Sequence, residues 1–175
     1  NITYPKPQAI FVSPLRRCQE TAEILFPEQK VRIIDQLAEC DFGAFENKNY
    51  KELSDDPRYQ AWIDSNGIMA FPGGESKEEC AVRNLEGFQR AVTTCIRENI
   101  SEAALVVHGG TIMNIMEAYA LPKKEFMSGM SVMAAAIWWN WSRPSGRKTG
   151  ESFRCWRQEI NSNIMTFQIT EFMLY

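Results

Sequence analysis

The sequence contains a single histidine, His108, and has few of the other groupings that mark common kinds of binding site. Its five cysteines form no CxxC pair and follow no spacing typical of a metal site. No basic run is concentrated enough to predict a nucleic-acid surface, and the formal net charge of −3 gives no sign of one. We therefore expect no metal, no cofactor and no nucleic-acid partner.

Long hydrophobic runs are also missing. The first residues, NITYPKPQAIF, have neither a basic start nor an apolar stretch of signal-peptide length. The apolar segment MAAAIWWNW at 133–141 is too short to cross a bilayer. The odd number of cysteines, scattered over predicted helices, is typical of reduced thiols in the cytosol. We expect a cytoplasmic protein without a membrane partner, and the sequence leaves the oligomeric state open.

Short apolar runs alternate with segments of helical periodicity, which predicts an α/β fold with a mostly parallel sheet. The predicted strands are 9–12, 31–35 and 103–107. The predicted helices are 14–26, about 56–65, 77 to about 98, and one that starts near Thr111 and stops at Pro122. Ser13 and Thr111 are predicted helix caps, and Ser76 with Glu79 has the spacing of a capping box.

Two segments share one architecture, in which a buried strand ends, a polar residue follows and a helix begins. They are FVSPLRR (11–17) and LVVHGGT (105–111). Ligands of parallel sheets bind beyond the carboxyl ends of the strands, and helix N-termini favour anions there. The sequence therefore predicts an anion site where the two segments meet.

Arg16 and Arg17 lie in the first turn of their predicted helix, which is the unfavourable end for cations unless an anion binds nearby. The alternative is that both arginines extend into solvent. His108 has two interpretations as well, either a hydrogen-bonded structural residue or a donor and proton carrier at the site. Gly109 and Gly110 favour the second, because glycine lets a ligand approach the backbone closely.

Three carboxylates in LAECDFGAFE (37–46) are candidates for general-acid chemistry, namely Glu39, Asp41 and Glu46. Charge alone does not choose among them. Glu75 in FPGGES (71–76) is a further candidate, although its place beside a helix N-terminus is enough to explain it.

Four segments in this order resemble the histidine phosphatase superfamily, also called phosphoglycerate mutase-like. They are SPLRRCQETAE, LAECDFGAFE, FPGGES and VVHGGTI, spread over residues 9 to 116. The short interval between the second and third is similar to small bacterial phosphatases such as α-ribazole phosphatase of cobalamin synthesis, and less like the mutases. The resemblance implies a three-layer αβα sandwich and a phosphatase that acts on a small-molecule phosphomonoester without a metal.

The resemblance also implies a role for individual residues. Arg17 matches the phosphate-binding arginine, and Glu39 matches the general acid that protonates the leaving oxygen. His108 matches the second active-site histidine, which contacts the transferring phosphoryl group, and Gly109 supplies a backbone N–H to the same oxygens. The nucleophile of the family is a different histidine, which becomes phosphorylated.

That nucleophile lies in an Arg-His-Gly motif after the first strand of the family, and this chain has neither the motif nor a second histidine. We therefore expect an N-terminally truncated domain that lacks the first strand and first helix and has no phosphatase activity of its own. The other functions left open are a non-catalytic phosphate-binding module, and a phosphoglycerate mutase or sugar-bisphosphate phosphatase on the same scaffold.

The segment 133–175 departs from the family as well, so we predict a partial histidine phosphatase domain over 1–132 and a divergent or out-of-frame tail over 133–175. The family has an Asn-Gly-Cys-Gly-like stretch where this chain has MAAAIWWNW. One codon string encodes Asn-Gly-Cys-Gly-Tyr-Leu-Val-Glu-Leu and, read one base later, the observed nine residues. Because tryptophan has one codon, Trp138-Trp139 requires a valine codon in the other frame. The alternative is a divergent tail whose tryptophans pack on the sheet.

Overall fold

The computed structural model describes residues 6–119, 134–142, 154–160 and 163–172. These residues form six strands and five α-helices. The strands are β1 (Ala9–Val12), β2 (Val31–Ile33), β3 (Glu102–Val107), β4 (Ala134–Ser142), β5 (Arg154–Ile160) and β6 (Asn163–Phe172). The helices are α1 (Arg16–Leu25), α2 (Tyr50–Leu53), α3 (Pro57–Asp64), α4 (Lys77–Arg97) and α5 (Gly109–Tyr119).

The strands form one sheet in the order β2-β1-β3-β4-β6-β5. β1 pairs in parallel with both β2 and β3, with Phe11 opposite Arg32 on one side and Leu105 on the other. This confirms the parallel arrangement predicted from the three apolar runs. β4 then pairs antiparallel with β3 and β6, and β5 pairs antiparallel with β6. The parallel half therefore has its strand ends on one edge, where the predicted anion site lies.

Side chains of β1 and β3 alternate between two helical layers. Phe11 and Leu105 pack in one core cluster with residues of α4 and α5, whereas Val12 and Val106 pack in another with residues of α1. Both strands are buried along their apolar length because each face is covered by helix. The three layers predicted from the family resemblance are thus present, with α1 on one face and α4 and α5 on the other.

Helix α4 begins as the sequence predicts. The Ser76 side chain accepts a hydrogen bond from the Glu79 backbone N–H at 3.1 Å, and the Glu79 carboxylate accepts one from the Ser76 backbone N–H at 2.8 Å. Both halves of the capping box are present. The predicted short helix around Trp62 is also confirmed, as α3.

Two predicted helix caps are wrong. Leu15 remains extended and α1 starts at Arg16 without a side-chain cap, because Ser13 Oγ accepts the Leu15 N–H ahead of the helix and bonds to His108. α5 starts at Gly109, since the His108 carbonyl already accepts the Ile112 backbone N–H at 3.0 Å. Thr111 is therefore buried inside the first turn rather than capping it.

Within the described part of the chain, no helix is long and apolar enough to cross a membrane. Pro122, the predicted end of α5, lies outside the described residues, as does Met133 at the start of the predicted tail. The backbone of 134–142, 154–160 and 163–172 is extended in the shared sheet. The division of the chain at residue 132 stays a prediction.

We expect Ser76→Ala to lower the free energy of unfolding by about 1 kcal/mol, because it leaves a first-turn N–H of α4 without its acceptor. Urea unfolding followed by circular dichroism measures this loss. Thr94→Ala is the matched control, since Thr94 lies on the same helix, is half-buried, and donates to the Arg90 carbonyl rather than capping the helix. Equal losses in the two variants would contradict a stabilising role for the cap.

Candidate functional site

The carboxyl ends of β1 and β3 are joined by a hydrogen bond between Ser13 and His108. Ser13 Oγ lies 2.6 Å from His108 Nε2. The backbone N–H of Ser13 donates to the Val106 carbonyl at 3.1 Å, and the Leu15 N–H donates to Ser13 Oγ at 3.2 Å. The two segments predicted to share an anion site are therefore in direct contact.

His108 is completely buried. Besides Ser13, its ring contacts the Cys18 thiol, with Sγ 3.6 Å from Nε2, and the Glu39 carboxylate, with Oε2 4.0 Å from Nδ1. Burial disfavours the charged imidazolium, and the positive charges of Arg17 and Arg83 add to this, so the pKa of His108 falls to about 3. The ring is therefore neutral near neutral pH.

Glu39 lies between His108 and a cavity of about 430 Å³ whose walls include Phe42, Phe71 and Met113. Its side chain is 20% exposed. Burial raises the pKa of this carboxyl, although a hydrogen bond that its Oε1 accepts from the Cys40 N–H at 3.1 Å acts in the opposite direction. Glu39 is thus the candidate carboxyl that holds a proton more readily than an exposed glutamate does.

Gly110 makes room for that carboxylate at the start of α5. A Cβ placed on Gly110 would lie 2.7 Å from Glu39 Oε1, so any larger residue would push the carboxylate aside. At Gly110 this differs from the predicted close approach of a ligand, since the group that approaches is a side chain of the protein itself. The role of Gly109 stays a prediction.

The two arginines of α1 have different surroundings. Arg16 Nε pairs with Glu20 Oε1 at 2.6 Å on the outer face of the helix, with its side chain 90% exposed. Arg17 is also exposed, but its charge contributes to lowering the pKa values of both His108 and Glu39. Arg17 is therefore the arginine whose charge reaches the buried pair, whereas Arg16 extends into solvent.

The structure separates the other candidate carboxylates from His108. Asp41 Oδ1 accepts the Gly43 N–H at 2.8 Å, and Glu46 Oε1 accepts the Phe42 N–H at 3.1 Å. Both side chains stabilise the turn that follows Glu39. Glu39 is the member of the three that contacts the histidine.

Arg83, which no sequence motif singles out, fixes the segment that carries Glu39. Its guanidinium donates to the carbonyls of Gln36, Ala38 and Glu39, each at 3.0 Å. The same group forms a two-pronged ion pair with Glu75, with N···O distances of 2.7 and 2.6 Å. Glu75 thus anchors the arginine, which is a more specific role than stabilising the nearby N-terminus of α4.

A buried asparagine reinforces this arrangement one residue later on α4. Asn84 Nδ2 donates to the carbonyls of Gln36 and Ala38 at 3.1 and 3.0 Å, and Asn84 Oδ1 accepts from Asn114 on α5 at 2.9 Å. The signal that could have identified these residues is their position on α4. Arg83 and Asn84 are polar residues shortly after the capping box of an amphipathic helix.

A separate cluster next to Glu39 comprises Cys40, Glu75 and Cys80. One ligand-type atom from each lies within 4.8 Å of the others. The sequence gives no sign of this group, because 40 residues separate the two cysteines and the contact depends on the fold. The thiols of Cys18, Cys40, Cys80 and Cys95 are all free.

The family model that matches this chain is that of the histidine phosphatase superfamily, branch 1, over residues 3–138. The chain belongs to this superfamily, which confirms the resemblance drawn from its four sequence segments. No curated protein matches the chain significantly.

Two solved structures show the same fold. One is described as a putative alpha-ribazole-5'-P phosphatase from Escherichia coli K-12 MG1655, with a TM-score of 0.61 and 20% identity over 77% of this chain and 68% of that one. The other is the alpha-ribazole phosphatase from Shigella flexneri, with a TM-score of 0.61 and 21% identity over 75% of this chain and 67% of that one. The phosphoglycerate mutase-like fold predicted from the sequence is therefore confirmed.

We expect His108 to make the protein less stable as the pH falls below neutrality. The unfolded chain protonates this residue near its ordinary pKa of 6.5, whereas the folded state resists protonation down to about pH 3. The free energy of unfolding therefore falls as the pH drops through this window, by up to about 1.4 kcal/mol per pH unit. Urea unfolding between about pH 5 and about pH 7 measures the slope, which His108→Gln should reduce.

This comparison is best made in a Glu39→Gln background. The raised pKa of Glu39 acts with the opposite sign, because its folded state binds a proton more readily than its unfolded state, which lowers stability as the pH rises through the folded pKa. Equal slopes with and without His108 would show that the imidazole is not the source of the pH dependence.

We expect Arg83→Lys to lower the free energy of unfolding by about 2 kcal/mol, because lysine keeps the charge but cannot reach Glu75 and three carbonyls together. Arg90→Lys is the matched control, since Arg90 lies on the same helix and makes one exposed hydrogen bond to the Gln36 side chain. We expect the control to stay within about 0.5 kcal/mol of the parent protein. A loss in Arg90→Lys as large as that in Arg83→Lys would contradict the special role of Arg83.

Proposed function

We propose that the junction of β1 and β3 binds the phosphate group of a small-molecule phosphomonoester, as part of a phosphatase that acts through a phosphohistidine. The observation that carries this proposal is the contact of His108 Nδ1 with Glu39 Oε2 at 4.0 Å, beside the charge of Arg17. A neutral histidine, a carboxyl with a raised pKa and a cation are the groups that phosphoryl transfer needs around the phosphorus.

Each residue has a proposed role. Arg17 pairs with the phosphate oxygens, and His108 and the Gly109 N–H donate hydrogen bonds to them. Glu39 protonates the leaving oxygen. Because His108 is fully buried, an anion would contact it after a side-chain shift of Glu39 or Arg17, both of which retain solvent exposure.

The proposed reaction has two steps. A histidine nitrogen attacks phosphorus in line, the P–O ester bond breaks, and the leaving oxygen takes the proton of Glu39. Water then attacks the phosphohistidine, the P–N bond breaks, and inorganic phosphate leaves while Glu39 regains a proton. Arg17 and His108 stabilise the charge on the equatorial oxygens in both steps.

His108 has a partner's role in this scheme, so the phosphorylated histidine is a second one. The sequence of 175 residues holds no second histidine. We therefore propose that this chain by itself binds phosphate without turnover and that the nucleophile comes from outside these residues. The non-catalytic phosphate-binding module remains the second candidate function, and the same absence of a second histidine favours it.

We expect Arg17→Ala to weaken the binding of inorganic phosphate and orthovanadate by roughly 10- to 100-fold, because a charge-assisted pair of about 1.5–3 kcal/mol is lost. Isothermal titration calorimetry measures the affinity. Arg16→Ala is the matched control, since Arg16 is the neighbouring arginine that pairs with Glu20 away from the site. Similar affinities of the Arg17 and Arg16 variants would overturn the proposed anion site.

Turnover is tested separately with p-nitrophenyl phosphate. We expect the 175-residue chain to release no more p-nitrophenol than its Arg17→Ala variant does. Release above that variant would refute the proposal that a second histidine is required.

The substrate is proposed from the two structural relatives, both described as phosphatases of alpha-ribazole phosphate. Competition against bound orthovanadate tests this without turnover. Tighter binding of α-ribazole 5'-phosphate than of phosphoglycerates or fructose bisphosphate supports it. The reverse order would favour a mutase or a sugar-bisphosphate phosphatase.

A further inference from the structure

Two cysteines that the proposed reaction does not use lie together beside Glu39. The Sγ atoms of Cys40 and Cys80 are within 4.8 Å of each other. Cys40 follows Glu39 directly, and Cys80 ends the first turn of α4, where its N–H donates to the Ser76 carbonyl at 3.0 Å. A turn that follows β2 and the start of a long helix are therefore brought within reach of a covalent bond.

The two thiols have different surroundings. Arg83 Nη2 lies 3.9 Å from Cys80 Sγ and Asn114 Nδ2 lies 3.8 Å from it, so two donors face this sulfur. The Cys80 thiol also donates to Asn84 Oδ1 at 3.6 Å. The hydrogen bond with Cys40 and the charge of Arg83 lower the pKa of the Cys80 thiol, whereas the same hydrogen bond and burial raise the pKa of Cys40. Cys80 is thus the sulfur of the pair that loses its proton more readily, and two donors lie beside it.

Both thiols are reachable by a small molecule although their residues are largely buried. Cys40 and Cys80 both line the cavity of about 430 Å³ that also borders Glu39. Cys95 lies on the same helix as Cys80 but packs in the main core, where burial raises its pKa to about 12. Access and thiolate character together distinguish the pair from the other described cysteines.

We propose that Cys40 and Cys80 form a peroxide-sensitive dithiol, in which oxidation by a hydroperoxide produces a reversible Cys40–Cys80 disulfide. The Cys80 thiolate attacks one oxygen of the peroxide, the O–O bond breaks, and Cys80 becomes a sulfenic acid. The leaving oxygen takes a proton from solvent and departs as water, or as an alcohol from an organic hydroperoxide. The Cys40 sulfur then attacks the Cys80 sulfur, the S–O bond breaks, and a second water leaves. Two thiols lose two electrons in total, and one peroxide gains them.

Two thiols and a carboxylate could also bind a metal ion, but the surroundings of this cluster disfavour one. Both oxygens of Glu75 pair with Arg83, and Oε2 also accepts the Asp41 N–H at 3.1 Å. A divalent cation bound to Cys80 would lie next to the guanidinium of Arg83. The same positive charge stabilises a thiolate, so the site favours thiol oxidation.

Disulfide formation would displace the candidate general acid. The sulfurs must approach to roughly 2.0 Å, which draws the Cys40 backbone toward α4. The Cys40 N–H that donates to Glu39 Oε1 moves with it. Oxidation therefore shifts the Glu39 carboxylate relative to His108. An effect of oxidation on phosphate binding rests on the proposed function, whereas formation of the disulfide is independent of it.

The test is to treat the 175-residue chain with one equivalent of hydrogen peroxide, alkylate the remaining thiols under denaturing conditions, and map the peptides by mass spectrometry. We expect a Cys40–Cys80 cross-linked peptide, a mass loss of two hydrogens, and recovery of both thiols with dithiothreitol. Alkylation of both Cys40 and Cys80 after peroxide, with Cys18 or Cys95 oxidised instead, would overturn the proposal. The unsubstituted chain decides this point, so it does not depend on how any variant folds.

Single variants test the order of the steps. In Cys40→Ser, we expect dimedone to trap Cys80 as a sulfenic acid, whereas in Cys80→Ser Cys40 should remain a free thiol. Cys95→Ser is the matched control on the same helix and should give the cross-link in full yield. Trapping of Cys40 rather than Cys80 would refute the assignment of the attacking thiolate.

Orthovanadate titration of the oxidised and reduced chains tests the link to the anion site. We expect oxidation to weaken binding in the parent chain and to leave binding by Cys80→Ser unchanged. Equal orthovanadate binding before and after disulfide formation would overturn the coupling between the disulfide and the anion site, but not the disulfide itself. Absence of binding by the reduced chain would count against the proposed function instead.

Discussion

The ion pair between Arg83 and Glu75 is the interaction on which the candidate site depends. Glu75 holds both prongs of the guanidinium, so the remaining N–H groups are directed at the carbonyls of residues 36, 38 and 39. Those carbonyls belong to a half-buried segment that has 3₁₀ turns and is paired with no strand, and leaving them without partners would be costly. Two neighbouring side chains of α4, Arg83 and Asn84, thus replace the hydrogen bonds that a regular element would supply. Together they fix the position of the segment that leads into Glu39.

The parallel strands were predicted well from the sequence. β1 and β3 are covered by helices on both faces, so each has a continuous apolar run that is easy to recognise. The helix starts were predicted less well. Ser13 and Thr111 are residue types that often cap helices. However, Ser13 bonds to His108 at the end of the adjacent strand, and Thr111 lies inside α5. Local chemistry cannot reveal that a hydroxyl has a stronger partner 95 residues away.

The candidate site was predictable in part for the same reason. Arg17 and His108 both follow the carboxyl ends of parallel strands. Ligands of parallel sheets bind at these ends, so the two residues were predicted to share a site. Charge alone could not choose Glu39 from Asp41 and Glu46, and the family resemblance made that choice. Arg83 and the Cys40–Cys80 contact stayed hidden, because each joins segments that are distant in sequence and are related only through the packing of α4.

Gly110 shows that the stability of α5 and the position of the Glu39 carboxylate make opposite demands on one residue. Gly110 lies in the first turn of α5, where glycine favours the helix less than alanine does, by at most about 1 kcal/mol, so selection for a more stable helix would replace it. The space it leaves is occupied by the Glu39 carboxylate. A directed-evolution experiment that selects for a higher melting temperature would therefore tend to replace Gly110 and displace the Glu39 carboxylate. One that selects for the proposed phosphatase chemistry would keep the glycine and the less stable helix.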